Sequence, residues 1–141
     1  MEDAARMRLT QLLNGPGAVQ IGAGATAEVW KCKMPAGDWV AVKRCTVETP
    51  AGTEEFHNEA HILSKLAAEP HKNIIGLRLF CHSPPAIVLE LADKGSLQSI
   101  LKGGTVKALN RLGYMQQVAE GVCFLHLNDI AHLDIKPLNI L

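Results

Sequence analysis

The spacing of hydrophobic and polar positions changes several times along the chain, and each change marks an element. Ala4, Ala5, Met7, Leu9, Leu12 and Leu13 predict a short helix over residues 2–13, which Asn14-Gly15-Pro16-Gly17 ends. Between Val19 and Lys33 the pattern is that of strands around a loop of small residues, and Val29, Trp30 and Cys32 show no helical stripe. A turn at Pro35-Ala36-Gly37-Asp38 leads into the strand Trp39-Val40-Ala41-Val42-Lys43. Phe56, Ala60, Leu63 and Leu66 or Ala67, with Ile62 alongside, recur at helical spacing and predict an amphipathic helix over residues 53–68.

Leu77, Leu79 and Cys81 then alternate with Arg78, Phe80 and His82, a strand signal. Ser83-Pro84-Pro85 turns the chain, and residues 86–91 form an apolar strand broken only by Glu90. Residues 96–101 predict a short helix stopped by Gly103-Gly104. A longer helix covers 109–127, with Leu109, Leu112, Met115, Ala119, Val122 and His126 on one face and Val118 and Leu125 beside it. A stripe that wide predicts a helix with partners on more than one side. Ile140 and Leu141 read as the start of a buried strand.

Composition narrows the classes. At 141 residues with 48% hydrophobic positions, the chain is at most one domain's worth and can bury a core. Zero net charge offers no electrostatic case for nucleic acid or an acidic membrane surface. Cys32, Cys45, Cys81 and Cys123 form no CxxC pair, and Met1-Glu2-Asp3 lacks the basic start of a targeting peptide. A cytoplasmic or nuclear protein with reduced thiols is the expectation. No apolar run reaches the length of a membrane span.

Several polar residues break the pattern. Glu59 falls on the apolar stripe of its helix, where a carboxylate is costly unless it meets a cation, and Lys43 is the natural partner. His57 and His61 lie four apart, but Asn58 stands where a zincin has Glu, so surface histidines are expected. Ile21-Gly22-Ala23-Gly24-Ala25-Thr26-Ala27-Glu28-Val29 would let a backbone approach phosphates closely. A dinucleotide fold would follow this string with a helix and, about twenty positions on, an acidic residue. Here strand-like residues follow, and Lys43 occupies that place.

The final stretch, His132-Leu133-Asp134-Ile135-Lys136-Pro137-Leu138-Asn139-Ile140-Leu141, combines a proton acceptor, a cation and an amide oxygen. Pro137 fixes φ and removes a donor, so a shaped loop rather than a helix is expected. A base, a cation and a hard-metal ligand on one loop suit phosphoryl transfer, which needs positioning and charge neutralisation.

This stretch closely resembles the catalytic loop of eukaryotic protein kinases, H-R-D-x-K-x-x-N. Val40-Ala41-Val42-Lys43 resembles the family's V-A-I-K strand, and His71-Lys72-Asn73-Ile74-Ile75-Gly76-Leu77 its H-x-N-I-x-x-L segment. The resemblance covers residues 18–141 and implies a transfer of the ATP γ-phosphate to Ser or Thr hydroxyls of a protein substrate, with Mg²⁺. By resemblance, Asp134 orients and deprotonates the hydroxyl, Lys136 touches the γ-phosphate and Asn139 binds the metal. Lys43 contacts the α- and β-phosphates and pairs with Glu59. Gly22, Ala23, Gly24, Ala25, Thr26 and Ala27 form the phosphate loop. Ile21, Val29, Ala41 and Leu91 wall the adenine, Leu141 floors it and Leu89 is the gatekeeper. Backbone groups of Glu90 and Ala92 bind adenine, and Ser96 lies near the ribose. Lys136 resembles the serine/threonine version of the loop.

The implied fold is α+β and protein-kinase-like: a five-stranded antiparallel N-lobe with one helix, then the first helices of an incomplete helical C-lobe. Residues 1–17 are expected to be an extension, 18–92 the N-lobe and 93–141 the start of the C-lobe. Two positions depart from the family pattern: Leu133 replaces the usual Arg, and Ala27 replaces the third glycine. No Asp-Phe-Gly occurs in these residues, so a truncated kinase domain is the expectation. The alternatives are a pseudokinase, or a truncated interaction module that binds nucleotide or a partner without catalysis. The wide apolar helix face is one through which such a chain could self-associate.

Overall fold

The computed structural model describes residues 1–47, 49–104 and 106–141, and the side chains of Ala108 and Leu109 lie outside that description. The stripe position expected of Leu109 is therefore outside the described residues. Backbone contacts divide the chain into two compact units. One is Met1–Pro70 with Ile75–Leu91, and the other is His71–Ile74 with Ala92–Leu141.

The first unit is a five-stranded antiparallel sheet in the order β1-β2-β3-β5-β4. Its strands are β1 Val19–Ala23, β2 Ala27–Lys33, β3 Trp39–Cys45, β4 Leu77–Cys81 and β5 Ala86–Glu90. Two helices cover it, α1 Glu2–Leu13 and α2 Pro50–Leu66. Side chains alternate across a strand, and β3 and β5 use the alternation to feed two cores. Val40, Val42, Ala86 and Val88 join Cys32, Cys81 and the α1 residues Ala5, Leu9 and Leu12. Cys45 and Ile87 face the other way and pack with Phe56 and Ala60 of α2.

Each helix is fixed by its N-terminal residues. α2 begins at Pro50, three residues before the expected start, because Thr49 caps it. The Thr49 hydroxyl accepts the Gly52 N–H at 3.2 Å, and proline is suited to the first helical position. In α1, Glu2 Oε1 accepts the N–H groups of His82 at 2.7 Å and Ser83 at 3.1 Å, tying the helix to the β4–β5 turn. Burial pushes this carboxyl up, but the Ser83 and His82 donors outweigh it and hold it below the usual carboxylate range.

Two expectations need correction here. The simple alternation of β4 fails because its pairing with β5 shifts between Leu77 and Leu79. Leu79 packs on the α1 side, whereas Leu77 and Phe80 pack on the α2 side. His57 is not a surface histidine: it is half-buried, its ring meets Phe80 and His82 edge-on, and its Nε2 is shielded from solvent. Phe80 reaches His57 by the regular alternation of residues 79–81, which sets it on the α2 side, opposite Leu79 and Cys81.

The second unit holds α3 Leu97–Lys102, α4 Ala108–Leu127 and a 3-10 turn, Pro137–Asn139. Ser96 caps α3 through its hydroxyl, which accepts the Ser99 N–H. The segment His71–Ile74 lies against α4. His71 stacks on Phe124 at 4.7 Å, and Asn73 Nδ2 donates to Glu120 at 3.1 Å. Lys72 at 2.9 Å and Gln116 at 2.9 Å complete the set around that carboxylate. A Cβ at Gly121 would meet the Asn73 carbonyl at 3.0 Å, so a side chain there would push this segment back from α4. Ile140 and Leu141 form no strand among the described residues. The Ile140 carbonyl accepts the Leu97 N–H at 2.7 Å, joining the end of the loop to the start of α3.

The Lys72 hydrogen bond, with those of Gln116 and Asn73, holds the Glu120 carboxyl below its ordinary value. A carboxyl lowered by folding contributes stability above its unfolded pKa and loses it as the pH falls toward its folded one. Glu120→Gln should therefore lower the melting temperature at neutral pH and flatten its decline in acid. Thermal melting across the carboxylate range tests this, and an unchanged acid limb would contradict it.

Candidate active site

In the sheet, Val29 pairs directly with Lys43, and Ala41 pairs with Leu89. Residues opposite one another on neighbouring strands share a face, so Val29, Ala41, Lys43 and Leu89 line the same side of the sheet, that of α2. This brings together four of the expected nucleotide residues. Ile21 is exposed on β1. Between β1 and β2, the Gly24 N–H donates to the Ala27 carbonyl at 2.7 Å, closing a tight turn around Ala25 and Thr26. A Cβ at Gly22 or at Gly24 would meet its nearest neighbour at 3.6 Å, an ordinary contact. The packing of the chain therefore does not demand these glycines, whereas close approach of a phosphate group to the backbone would.

Lys43 Nζ lies 2.6 Å from Glu59 Oε2. β3 delivers the lysine from the middle of the sheet, and α2 delivers the carboxylate one turn beyond Phe56. The ring of Phe56 lies under the same ammonium, 5.2 Å from Nζ to the centroid. Phe56 belongs to the apolar stripe, and its second contact escaped the sequence reading. The signal was its spacing from Glu59: residues three apart share a helix face.

At the end of β5, the Glu90 N–H donates to the Gly76 carbonyl at 2.9 Å, and the Ala92 carbonyl accepts the Gly95 N–H at 3.2 Å. Leu91 is half-buried. Ser96, expected near a ribose, spends its hydroxyl on the α3 cap.

In the second unit, Asp134, Lys136 and Asn139 converge. Asn139 Nδ2 donates at 2.9 Å both to the Asp134 carbonyl and to its Oδ2. Lys136 Nζ stands 3.1 Å from the same Oδ2. The 3-10 turn beginning at Pro137 brings Asn139 back over Asp134, which a fully extended segment could not do. Lys136, and after it Asn139, holds the Asp134 carboxyl below its usual range, so it is ionised and accepting at neutral pH. Asn139 Oδ1 accepts no hydrogen bond among the described residues, which suits it to a hard cation. Leu133, where the kinase family usually has Arg, takes φ 61° and is 94% exposed.

Residues 17–141 match the family profile of the protein kinase domain, and the chain belongs to that family. It is 36% identical over 130 residues to cysteine-rich receptor-like protein kinase 34 of Arabidopsis thaliana, covering 86% of this chain and 19% of the relative. It is 33% identical over 132 residues to L-type lectin-domain containing receptor kinase VI.2 of the same plant, covering 86% of this chain and 19% of that protein. The LRR receptor-like serine/threonine-protein kinase ERL1, also from Arabidopsis thaliana, is 32% identical over 144 residues, covering 96% of this chain and 14% of its own length. The chain thus spans less than one fifth of each of these relatives.

A bulky residue in the left-handed region costs about 1–2 kcal/mol, which glycine avoids. Leu133 has almost no packing to lose, so Leu133→Gly and Leu133→Ala isolate the backbone effect. The glycine variant should be more stable than the alanine variant by about 1 kcal/mol in urea unfolding. Equal stabilities would remove the strain from the loop.

Proposed function

We propose that the chain carries the nucleotide- and hydroxyl-handling parts of a serine/threonine protein kinase that transfers the γ-phosphate of ATP to a protein hydroxyl. The observation that carries this reading is the Lys43–Glu59 contact at 2.6 Å, on the sheet face shared with Val29, Ala41 and Leu89. Glu59 directs the ammonium, and Lys43 neutralises phosphate oxygens of the nucleotide. Ile21, Val29, Ala41, Leu89 and Leu91 offer apolar surface to adenine, with backbone groups at Glu90 and Ala92 for its edge. The turn from Gly22 to Ala27 presents backbone to the phosphates.

Asp134 accepts a hydrogen bond from the acceptor hydroxyl and aims its oxygen at phosphorus. Its low pKa makes it an orienting acceptor first and a proton sink late, once the hydroxyl oxygen has begun to bond to phosphorus. Lys136, here beside Asp134, supplies positive charge for the transferring phosphoryl group. Mg²⁺, when bound, neutralises phosphate charge, and Asn139 Oδ1 would be its ligand from this chain, with phosphate and water oxygens as others. Lys136 and the serine/threonine name borne by a relative support the serine/threonine assignment over tyrosine.

Lys43→Met removes one charge-assisted phosphate contact, so its affinity for Mg²⁺-ATP should fall about ten- to a hundredfold in calorimetric titration. Unchanged affinity would sink the assignment. Asp134→Asn should keep nucleotide binding while abolishing transfer to a serine peptide. Nucleotide binding without any transfer by the unaltered chain is equally what a truncated domain gives, so it would leave the kinase and pseudokinase alternatives level.

The face of α4 supports a second reading, self-association. Leu112, Met115 and Leu127 are all exposed, and Met115 and Leu127 border one apolar hollow with Val118 and Val122, the kind of surface that marks association sites. Sedimentation should show concentration-dependent oligomers that Met115→Glu disperses. A monomer at every concentration would end this reading.

A further inference from the structure

The ammonium of Lys43 has two neighbours on α2, and only one is charged. Glu59 Oε2 binds it at 2.6 Å, while the Phe56 ring centroid lies 5.2 Å from Nζ. The two residues are one turn apart, so a single helix face presents both a carboxylate and a π face. We infer that Phe56 is a positioning residue for Lys43, its ring fixing the direction of the ammonium that the Glu59 ion pair alone would leave free to swing. This rests on the phosphate-binding role proposed above for Lys43.

Three features make the ring more than core filling. Lys43 and Glu59 side chains are about one third exposed, at 31% and 36%, and an ion pair so open to water is weakly held. Phe56 is only 4% exposed and is locked among Cys45, Ala60 and Ile87. Its ring therefore cannot follow the ammonium as a surface side chain would, and it acts as a fixed stop. Finally, an aromatic face carries negative charge density and attracts a cation within about 6 Å, whereas a leucine in the same space would supply only contact. The arrangement also ties the direction of Lys43 to the seat of α2, because any withdrawal of the helix removes both partners at once.

Fluorination separates the electronic effect from the packing effect. With 3,4,5-trifluorophenylalanine at position 56, the ring keeps nearly its shape and loses most of its attraction for a cation. In the full chain with Lys43 present, the unfolding equilibrium constant should rise roughly two- to fivefold relative to phenylalanine. In a Lys43→Leu background the same replacement should leave it unchanged. Equal effects in the two backgrounds would overturn the inference and make Phe56 core only. Because Lys43→Leu could perturb the fold, a second measurement stands on the unaltered lysine. The ε-methylene protons of selectively labelled Lys43 should be shifted upfield by the ring current, and Phe56→Leu should abolish that shift. Absence of the shift in the unaltered protein would also overturn the inference. For function, the fluorinated chain should bind Mg²⁺-ATP about two- to fivefold more weakly, and unchanged binding would deny the ring its positioning role. If the unaltered chain binds no Mg²⁺-ATP, the kinase reading fails, while the fluorination cycle still decides whether the ring holds the cation.

Discussion

The ion pair between Lys43 and Glu59 joins the middle strand of the first unit to α2, and it is not there for stability. Both partners are partly open to water, where such pairs contribute little to folding. What they gain from the fold is direction. Lys43 sits on β3, the middle strand of the sheet, with β2 paired on one side and β5 on the other. Its backbone is consequently among the best fixed in the chain. The alternation along β3 sends Val40 and Val42 into the α1 core and leaves Lys43 on the α2 face. A residue slip in that register would bury the ammonium among Cys32, Cys81 and Leu9. The apolar packing beneath α1 therefore sets where the charge emerges.

Asp134 is held by a different strategy. No sheet supports its loop, and the residues that brace it are two and five positions away in the chain. Lys136 and Asn139 converge on one carboxylate oxygen, and the 3-10 turn from Pro137 makes that convergence local. Directly before this braced segment, Leu133 takes a positive φ. Strain of this kind persists only where surrounding contacts over-determine the chain, and it gathers at functional sites. The strain at Leu133 is offset by the bonds converging on Asp134.

Most elements were legible because their hydrophobic period was undisturbed. Glu59 stood out for the same reason, as the one carboxylate on an apolar stripe, and Lys43 followed as the cation able to meet it. What escaped involved contacts that no local period encodes. The β4 register shift sets Leu77 on the face opposite Leu79 through pairing with β5, and the half-burial of His57 comes from its contacts with Phe80 and His82 on another segment of the chain. Thr49 and Pro50 were readable as a cap and first turn, but the apolar stripe drew the start of α2 inward to Thr53. Phe56 was read correctly as core and incompletely as a neighbour of charge. A stripe assigns each residue one role, and this ring has two.

Glu2 and Glu120 show the same limit from the polar side. Each carboxylate gathers several donors from a distant segment, Glu2 from the β4–β5 turn and Glu120 from the His71–Ile74 segment. In sequence both look like ordinary solvated acids on helices. In the fold they work as clips, since a carboxylate with several lone-pair sites can hold two or three donors that would otherwise go unpaired at a turn. Gly121 completes one clip by giving up its side chain so that Asn73 can come close. Such sites arise from the meeting of a helix and a loop, so neither segment alone foreshadows them. Asp134 is braced on the same principle with its donors drawn from its own neighbours. It stood out in the sequence, however, through the motif it shares with kinases, and its bonds to Lys136 and Asn139 were no more foreseeable than those of Glu2 and Glu120.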